Sequence, residues 1–221
     1  MTPERFARLK QALARRQHDL TVLADGVHKS HNVSAIIRSC DAVGVATLHA
    51  VWGSGAFSRH HMVAGGSKRW VDVERHASAA GAYARLRDSG FTILAAHAVP
   101  GARDFRETDF TRPTALVLGA ELEGPSPYAI AHADAAIAIP MHGLVESLNV
   151  SVAAAVILFE AERQRTAAGL YDRPLPDREA FERKLFEWAH PEIAKRCRAH
   201  GIEYPELDEN GALRLNPFND P

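Results

Sequence analysis

The chain has 221 residues, of which 46% are hydrophobic and 24% charged, proportions that suit a soluble globular protein. No apolar run reaches the roughly 18 residues a membrane span needs. The opening MTPERFARLKQALARRQ holds no apolar signal core, so export is not expected. Lysine and arginine total 26 against 27 acidic residues, for a net charge of −1, so no overall basic charge points to nucleic acid.

The charge is nevertheless uneven. Arg5, Arg8, Lys10, Arg15 and Arg16 crowd the first predicted helix, while Glu203, Glu206, Asp208 and Glu209 sit near the other end. Basic charge gathered on one element can hold phosphates even when the total is near zero. Thr2 is positioned as an N-cap and Pro3 as a first helical residue, and Phe6, Leu9 and Leu13 form an apolar stripe. Such a helix docks through that stripe and presents Arg5, Arg8, Arg15 and Arg16 outward.

The middle of the chain alternates. Residues 20–24 read as a strand, 33–43 as a helix, 47–52 as a strand, 77–89 as a helix ended by Gly90, and 91–96 as a strand. Two further strands, 115–118 and 135–139, precede a long helix over 150–168 closed by Gly169. This alternation predicts an α/β fold, a mostly parallel sheet with helices on both faces. Residues 51–70 form a long Gly-rich connection of the kind that carries function. Pro174 and Pro176 break the chain, and a helix then starts near Asp177 with Phe181, Leu185 and Trp188 on one stripe. Pro191 interrupts it and Gly201 ends its continuation. The organisation expected is a basic N-terminal helix over 1–18, a central domain over 19–168 and a helical extension over 169–221.

Several chemistries find no support. Gly53-Ser54-Gly55 follows a strand but lacks the third glycine of a dinucleotide fingerprint, and no Walker A loop is present. No G-x-S-x-G elbow occurs. Among twelve histidines, the pairs His28/His31 and His60/His61 stand out, yet no metal-ligand grid accompanies them, and Cys40 and Cys197 are expected as free thiols. No metal is expected.

Three segments carry a stronger signal: HNVSAIIRSCDAVGV at 31–45, ALVLGAELEG at 115–124 and IPMHGLVESLNVSVAAAVILFE at 139–160. In each, polar residues stand beside a strand or helix end, where α/β proteins place ligands. Asn32 reads as a helix N-cap. Arg38, beside Ile36, Ile37 and Cys40, requires a partner such as a carboxylate, a phosphate or a carbonyl, and an ion pair with Asp41 or Glu121 is the structural reading. Gly119 reads as a turn or as a point of close backbone approach. Ser147 and Asn149 read as caps for an apolar helix.

Together the three segments resemble the signature of the SpoU/TrmH family of RNA ribose 2′-O-methyltransferases, in the knotted SPOUT class. The matching motifs are N-x-x-x-x-x-R at Asn32–Arg38, G-A-E-x-x-G at Gly119–Gly124 and S-L-N-x-S at Ser147–Ser151. The flanking helices look like those of its tRNA-specific TrmH branch. The resemblance implies a C-terminal trefoil knot, a cytoplasmic homodimer and tRNA as partner, with neither membrane nor DNA. The methyl donor would be S-adenosylmethionine and the product 2′-O-methylguanosine at position 18 of the tRNA D-loop. Methylation of another tRNA or rRNA ribose, and an RNA binder without catalysis, are the alternatives. By resemblance Arg38 is catalytic, with Asn32, Glu121, Ser147 and Asn149 around it. His97, Leu118, Gly119, Ala120, Glu121, Ile139, Met141 and Leu148 would line the donor site. His142 and Glu146 depart from the apolar residue and glutamine expected there.

Overall fold

The computed structural model describes residues 1–51, 69–121, 123–173 and 177–218. The Gly-rich connection, Gly53-Ser54-Gly55, His60, His61, Pro174 and Pro176 therefore lie wholly or largely outside the described residues. The chain divides into two units, Gln17–Leu170 on the one hand and Met1–Arg16 with Tyr171–Pro221 on the other.

The larger unit is built on a parallel sheet of seven strands. In chain order these are β1 (Leu20–Asp25), β2 (Thr47–Val51), β3 (Asp72–His76), β4 (Thr92–Ala96), β5 (Arg103–Asp104), β6 (Thr114–Leu118) and β7 (Ala135–Ala138). Their spatial order is β3-β2-β1-β6-β4-β7-β5. The central strands β1 and β6 are buried on both faces, as expected for a parallel sheet sandwiched between helices. Side chains alternate across it. Leu20, Val22, Ala24, Leu116 and Leu118 enter one core with helices α2 (Ser30–Ala42) and α5 (Val150–Ala167). Leu23, Ile93, Ala115 and Val117 enter the other with α3 (Ala79–Asp88) and α4 (Pro127–His132).

Arg165 fixes the far end of α5. It is 0% exposed, and its guanidinium donates to the Phe110, Asp19 and Arg112 carbonyls, to Gln17 Oε1 and to Asp19 Oδ1. Each bond lies between 2.5 and 3.1 Å. A buried charge on this scale requires such saturation.

In the smaller unit, α1 (Pro3–Ala14) is capped by Thr2 and buries Phe6, Leu9 and Leu13 as expected. Two helices follow, α6 (Arg178–Ala189) and α7 (Pro191–His200), the second ending at left-handed Gly201 with φ of 66°. One expectation is corrected here. Arg16 does not face solvent; it is buried, with its guanidinium 5.1 Å from the Trp188 ring centre. A cation over an indole face, shielded from water, is a packing contact. Arg5, Arg8 and Arg15 are exposed. Cys40 and Cys197 are free and buried.

The structure contains elements that periodicity did not announce: β3, β5 and α4. β3 reads DVERH and β5 has two residues; both are edge strands, whose outer side needs no apolar residues.

Candidate active site

The order of strands creates a switch point. From β1 the chain moves to β2 on one side, while from β6 it moves towards β7 on the other. Loops leaving the carboxyl ends of two such neighbouring strands diverge and open a crevice, the usual ligand position in an open α/β sheet. β1 and β6 are paired directly, from Leu20 opposite Thr114 to Ala24 opposite Leu118. The crevice floor is pinned by Asp25, whose buried carboxylate accepts the Ser126 amide at 2.8 Å.

The two loops close on each other through side chains. Glu121, after β6, accepts from both Lys29 Nζ and Asn32 Nδ2 at the start of α2. Asn32 Oδ1 in turn accepts from Asn149 Nδ2 at 3.3 Å. Asn149 caps α5, its Oδ1 accepting the Ser151 amide at 2.8 Å and the Ser151 hydroxyl at 2.6 Å. One hydrogen-bonded chain thus runs Lys29–Glu121–Asn32–Asn149–Ser151 and joins all three sequence motifs. The Lys29 ammonium and the Asn32 amide hold the Glu121 carboxyl below its ordinary range. Glu121 is an anion here at neutral pH.

Asn32 is not the N-cap expected of it. α2 begins two residues earlier, with Lys29 at the cap position and no side-chain cap. Asn32 lies in the first turn, 2% exposed, where its amide is used by Glu121 and Asn149. Lys29 escaped sequence reasoning, since a lysine after a strand carries no periodic signal. The expected partners of Arg38 do not hold it. It is exposed and, among the described residues, makes no hydrogen bond or ion pair, while Glu121 is engaged by Lys29 and Asn32. A helix advances 1.5 Å per residue, so six residues set Arg38 about 9 Å further along α2 than Asn32. Ser147 is exposed, beside this chain in sequence but outside its hydrogen bonds.

The remaining expected residues collect at the carboxyl ends of β6, β4 and β7, three adjacent strands. Leu118 is the last residue of β6 and Gly119 follows it. Ala120 and Gly124 exchange two backbone hydrogen bonds of 2.9 Å, which tie the two residues together. Gly119 has its glycine for this pairing's sake: a Cβ there would overlap the Gly124–Pro125 peptide. Gly124 has φ of +69°, and a Cβ on it would stand 3.2 Å from the His97 ring, so the glycine lets His97 lie against the loop. The His97 amide donates to the Ile137 carbonyl at 3.0 Å, which fixes His97 beside the exit of β7 towards Ile139 and Met141.

Ile139 and Met141 are half-buried and Leu148 is exposed. Among the described residues the backbone of 140–148 makes no hydrogen bond to the fold, so its amides and carbonyls stay available along an apolar rim. The rim offers backbone groups and apolar side chains with no phosphate-binding glycine loop. That donor set fits an uncharged base and ribose.

The profile of the SpoU rRNA Methylase family matches residues 19–159, and that of the SpoU rRNA methylase C-terminal region matches 163–215. This chain belongs to the SpoU methylase family. Within it, a tRNA (guanosine(18)-2′-O)-methyltransferase of Escherichia coli is 49% identical over 219 residues, 98% of this chain and 95% of that one. A protein of the same name from Thermus thermophilus is 53% identical over 187 residues, 85% of this chain and 96% of its own. The crystal structure of the A. aeolicus TrmH/SpoU tRNA modifying enzyme superposes with a TM-score of 0.78 at 41% identity, covering 86% of this chain and 97% of that one. A second SpoU methyltransferase structure, AviRb from Streptomyces viridochromogenes in complex with AdoMet, gives 0.61 at 31% identity, covering 68% of this chain and 60% of AviRb. The SpoU methylase profile spans all the strands and the crevice that joins them.

Proposed function

We propose that this chain transfers a methyl group from S-adenosylmethionine to the ribose 2′-oxygen of guanosine 18 in tRNA. The observation that carries the reading is the single hydrogen-bonded chain of Asn32, Glu121 and Asn149, one residue from each motif, at the switch point of a chain whose sequence a guanosine(18) methyltransferase matches over 98% of its length.

The donor, when bound, supplies a methyl group on a cationic sulfonium. Leu118, Gly119, Ala120, Ile139, Met141 and Leu148 would hold it, largely through backbone groups, with His97 and Glu121 at its border. The 2′-oxygen must lie in line with the methyl group and lose its proton as the new bond forms. Arg38 is the group assigned to that step. Its guanidinium stays protonated with a pKa above about 12 and is by itself a poor base. It acts by stabilising the developing alkoxide, with a substrate phosphate oxygen accepting the proton. Freedom from an internal ion pair leaves Arg38 able to meet the substrate. Asn32 and Asn149 act on position: they tie the start of α2, which carries Arg38, to the start of α5, which follows Ser147. The 142–148 loop, which carries His142 and Glu146, borders the ribose.

A second copy completes the assembly. Leu144, Val145, Leu148, Val152, Val156 and Phe159 are exposed apolar residues on one stretch of chain and the outward face of α5. Contiguous apolar surface of this kind is covered in solution, and a homodimer through α5 covers it. The exposed residues Arg5, Arg8 and Arg15 would track tRNA phosphates, with the role of Arg16 reassigned to packing. The functional division follows the expected 1–18, 19–168 and 169–221, and the C-terminal part of the central domain forms a trefoil knot. The enzyme works in the cytoplasm, where its substrate is.

Incubation with labelled donor and unmodified tRNA, followed by nucleoside analysis, tests this reading. The expected product is 2′-O-methylguanosine. Methyl label on a base, or none at all with donor bound, would overturn it.

A further inference from the structure

At the opposite edge of the sheet a second polar cluster has no part in the methyl-transfer site. His49 on β2 stands in register with Glu74 on β3, and His76 lies two residues further on, so all three point to the same face. His49 Nδ1 and His76 Nε2 are 2.9 Å apart, and the ring centres lie 5.1 Å apart with 19° between the ring planes, so the two rings meet edge to edge, nitrogen to nitrogen. Glu74 presents one carboxylate oxygen 3.9 Å from His49 Nδ1 and the other 3.9 Å from His76 Nε2. The histidine side chains are only 7% and 9% exposed, while Glu74 is 39% exposed. His49 and Glu74 open onto a cleft of about 220 Å³ that is also lined by His18, Asp19, Thr47 and Arg85.

We propose that His49, Glu74 and His76 form a binding site for a first-row divalent transition-metal ion such as zinc, which clamps the β2–β3 edge of the sheet and takes no part in methyl transfer. Two imidazoles and a carboxylate are the donor set such ions prefer. Metal–nitrogen and metal–oxygen bonds of about 2.0–2.2 Å place neighbouring ligand atoms about 3.3–3.6 Å apart in a tetrahedral site. The nitrogens are 2.9 Å apart and aimed at each other, so both rings must turn slightly towards Glu74 to share one ion, and the carboxylate needs to approach by less than about 1 Å. The strands that carry the ligands are held in register from Thr47 opposite Asp72 to Val51 opposite His76, so only side-chain rotation is needed to bring the three donors onto one ion.

In the metal-free protein one imidazole N–H donates to the other ring's lone pair. On binding, that proton moves to the outer nitrogen of its own ring, and both facing nitrogens become ligands. The cleft leaves an open coordination position for water. Arg85 Nε lies 3.3 Å from the Glu74 carboxylate and competes for it. This competitor gives the proposal its most specific consequence: removing Arg85 strengthens the site.

Titration with Co²⁺, followed by its visible absorption, and competition by Zn²⁺ test the assignment on the full chain. The wild type should bind one saturable equivalent per chain, and Zn²⁺ should raise its Tm. His76→Gln and Glu74→Gln should each weaken binding by at least about ten-fold, since even residues one step outside a ligand shell are worth 10- to 100-fold. Glu74 is partly exposed, so Glu74→Gln remains foldable if a buried histidine variant does not. Arg85→Gln should bind more tightly than wild type, and His60→Ala/His61→Ala should bind as wild type does. Absence of saturable binding, binding unchanged in both ligand variants, or binding lost with His60 and His61 would overturn the site. Methyl transfer by the Glu74→Gln variant should equal that of wild type, which separates this test from that of the proposed activity.

Discussion

Arg38 and Asn32 sit on the same helix yet answer to different forces. Asn32 is buried and both ends of its amide are used, whereas Arg38 is exposed and unpaired among the described residues. Arg38→Ala should therefore leave stability within about 0.5 kcal/mol of wild type, as for most surface changes. The same variant should lose methyl transfer by about 100-fold or more, the range for a group acting on a proton in the transition state. Steady-state kinetics beside a thermal melt checks this; normal turnover in a folded variant would remove Arg38 from the mechanism. Glu121 supplies a pH signature. Its pKa is lowered in the folded state, chiefly by Lys29. Its contribution to stability is thus fully present above the unfolded glutamate pKa of about 4.3 and is lost as the pH falls through the lower folded value. The stability difference between wild type and Glu121→Gln, measured by urea unfolding, should be constant near neutral pH and shrink only below about pH 4.3.

At the scale of elements, α5 does the most. Its apolar residues surround the whole helix in its first half, so the sequence alone did not say which face meets the core. The structure assigns Ala154, Ile157, Leu158 and Ala161 to the interior and leaves Val152, Val156 and Phe159 outside. Phe159→Glu should convert the proposed dimer to a monomer in sedimentation without unfolding it; an unchanged sedimentation coefficient would place the interface elsewhere. At the other end of the helix, Arg165→Met would remove the guanidinium's hydrogen bonds to the Phe110, Asp19 and Arg112 carbonyls. A buried acceptor left without its partner costs about 1–3 kcal/mol, so the variant should unfold at lower denaturant. The legible elements were those with strong periodicity or buried runs, such as β1, β6 and α5. The edge strand β3 was not legible, because an edge has solvent on one side and DVERH shows no alternation. The same blindness hid His49 and His76, which are brought together by register between strands rather than by spacing in the chain. For the active site, the motifs marked Asn32, Glu121 and Asn149, but only the fold showed that they bond to one another and that Lys29 joins them.

For the molecule as a whole, a near-neutral chain must select one ribose in a polyanion. With formal net charge −1, long-range attraction is weak, so selection must come from local basic surface and from the shape of the crevice. Base identity and position then matter more than total charge. The most direct measurement is methyl transfer to a matched pair of tRNA transcripts, one with guanosine 18 and one with adenosine in its place, with the modified position mapped by alkaline cleavage. The account predicts one protected phosphodiester, 3′ to nucleotide 18, in the first transcript and no transfer to the second. Equal transfer to both, or protection at another ribose, would contradict it.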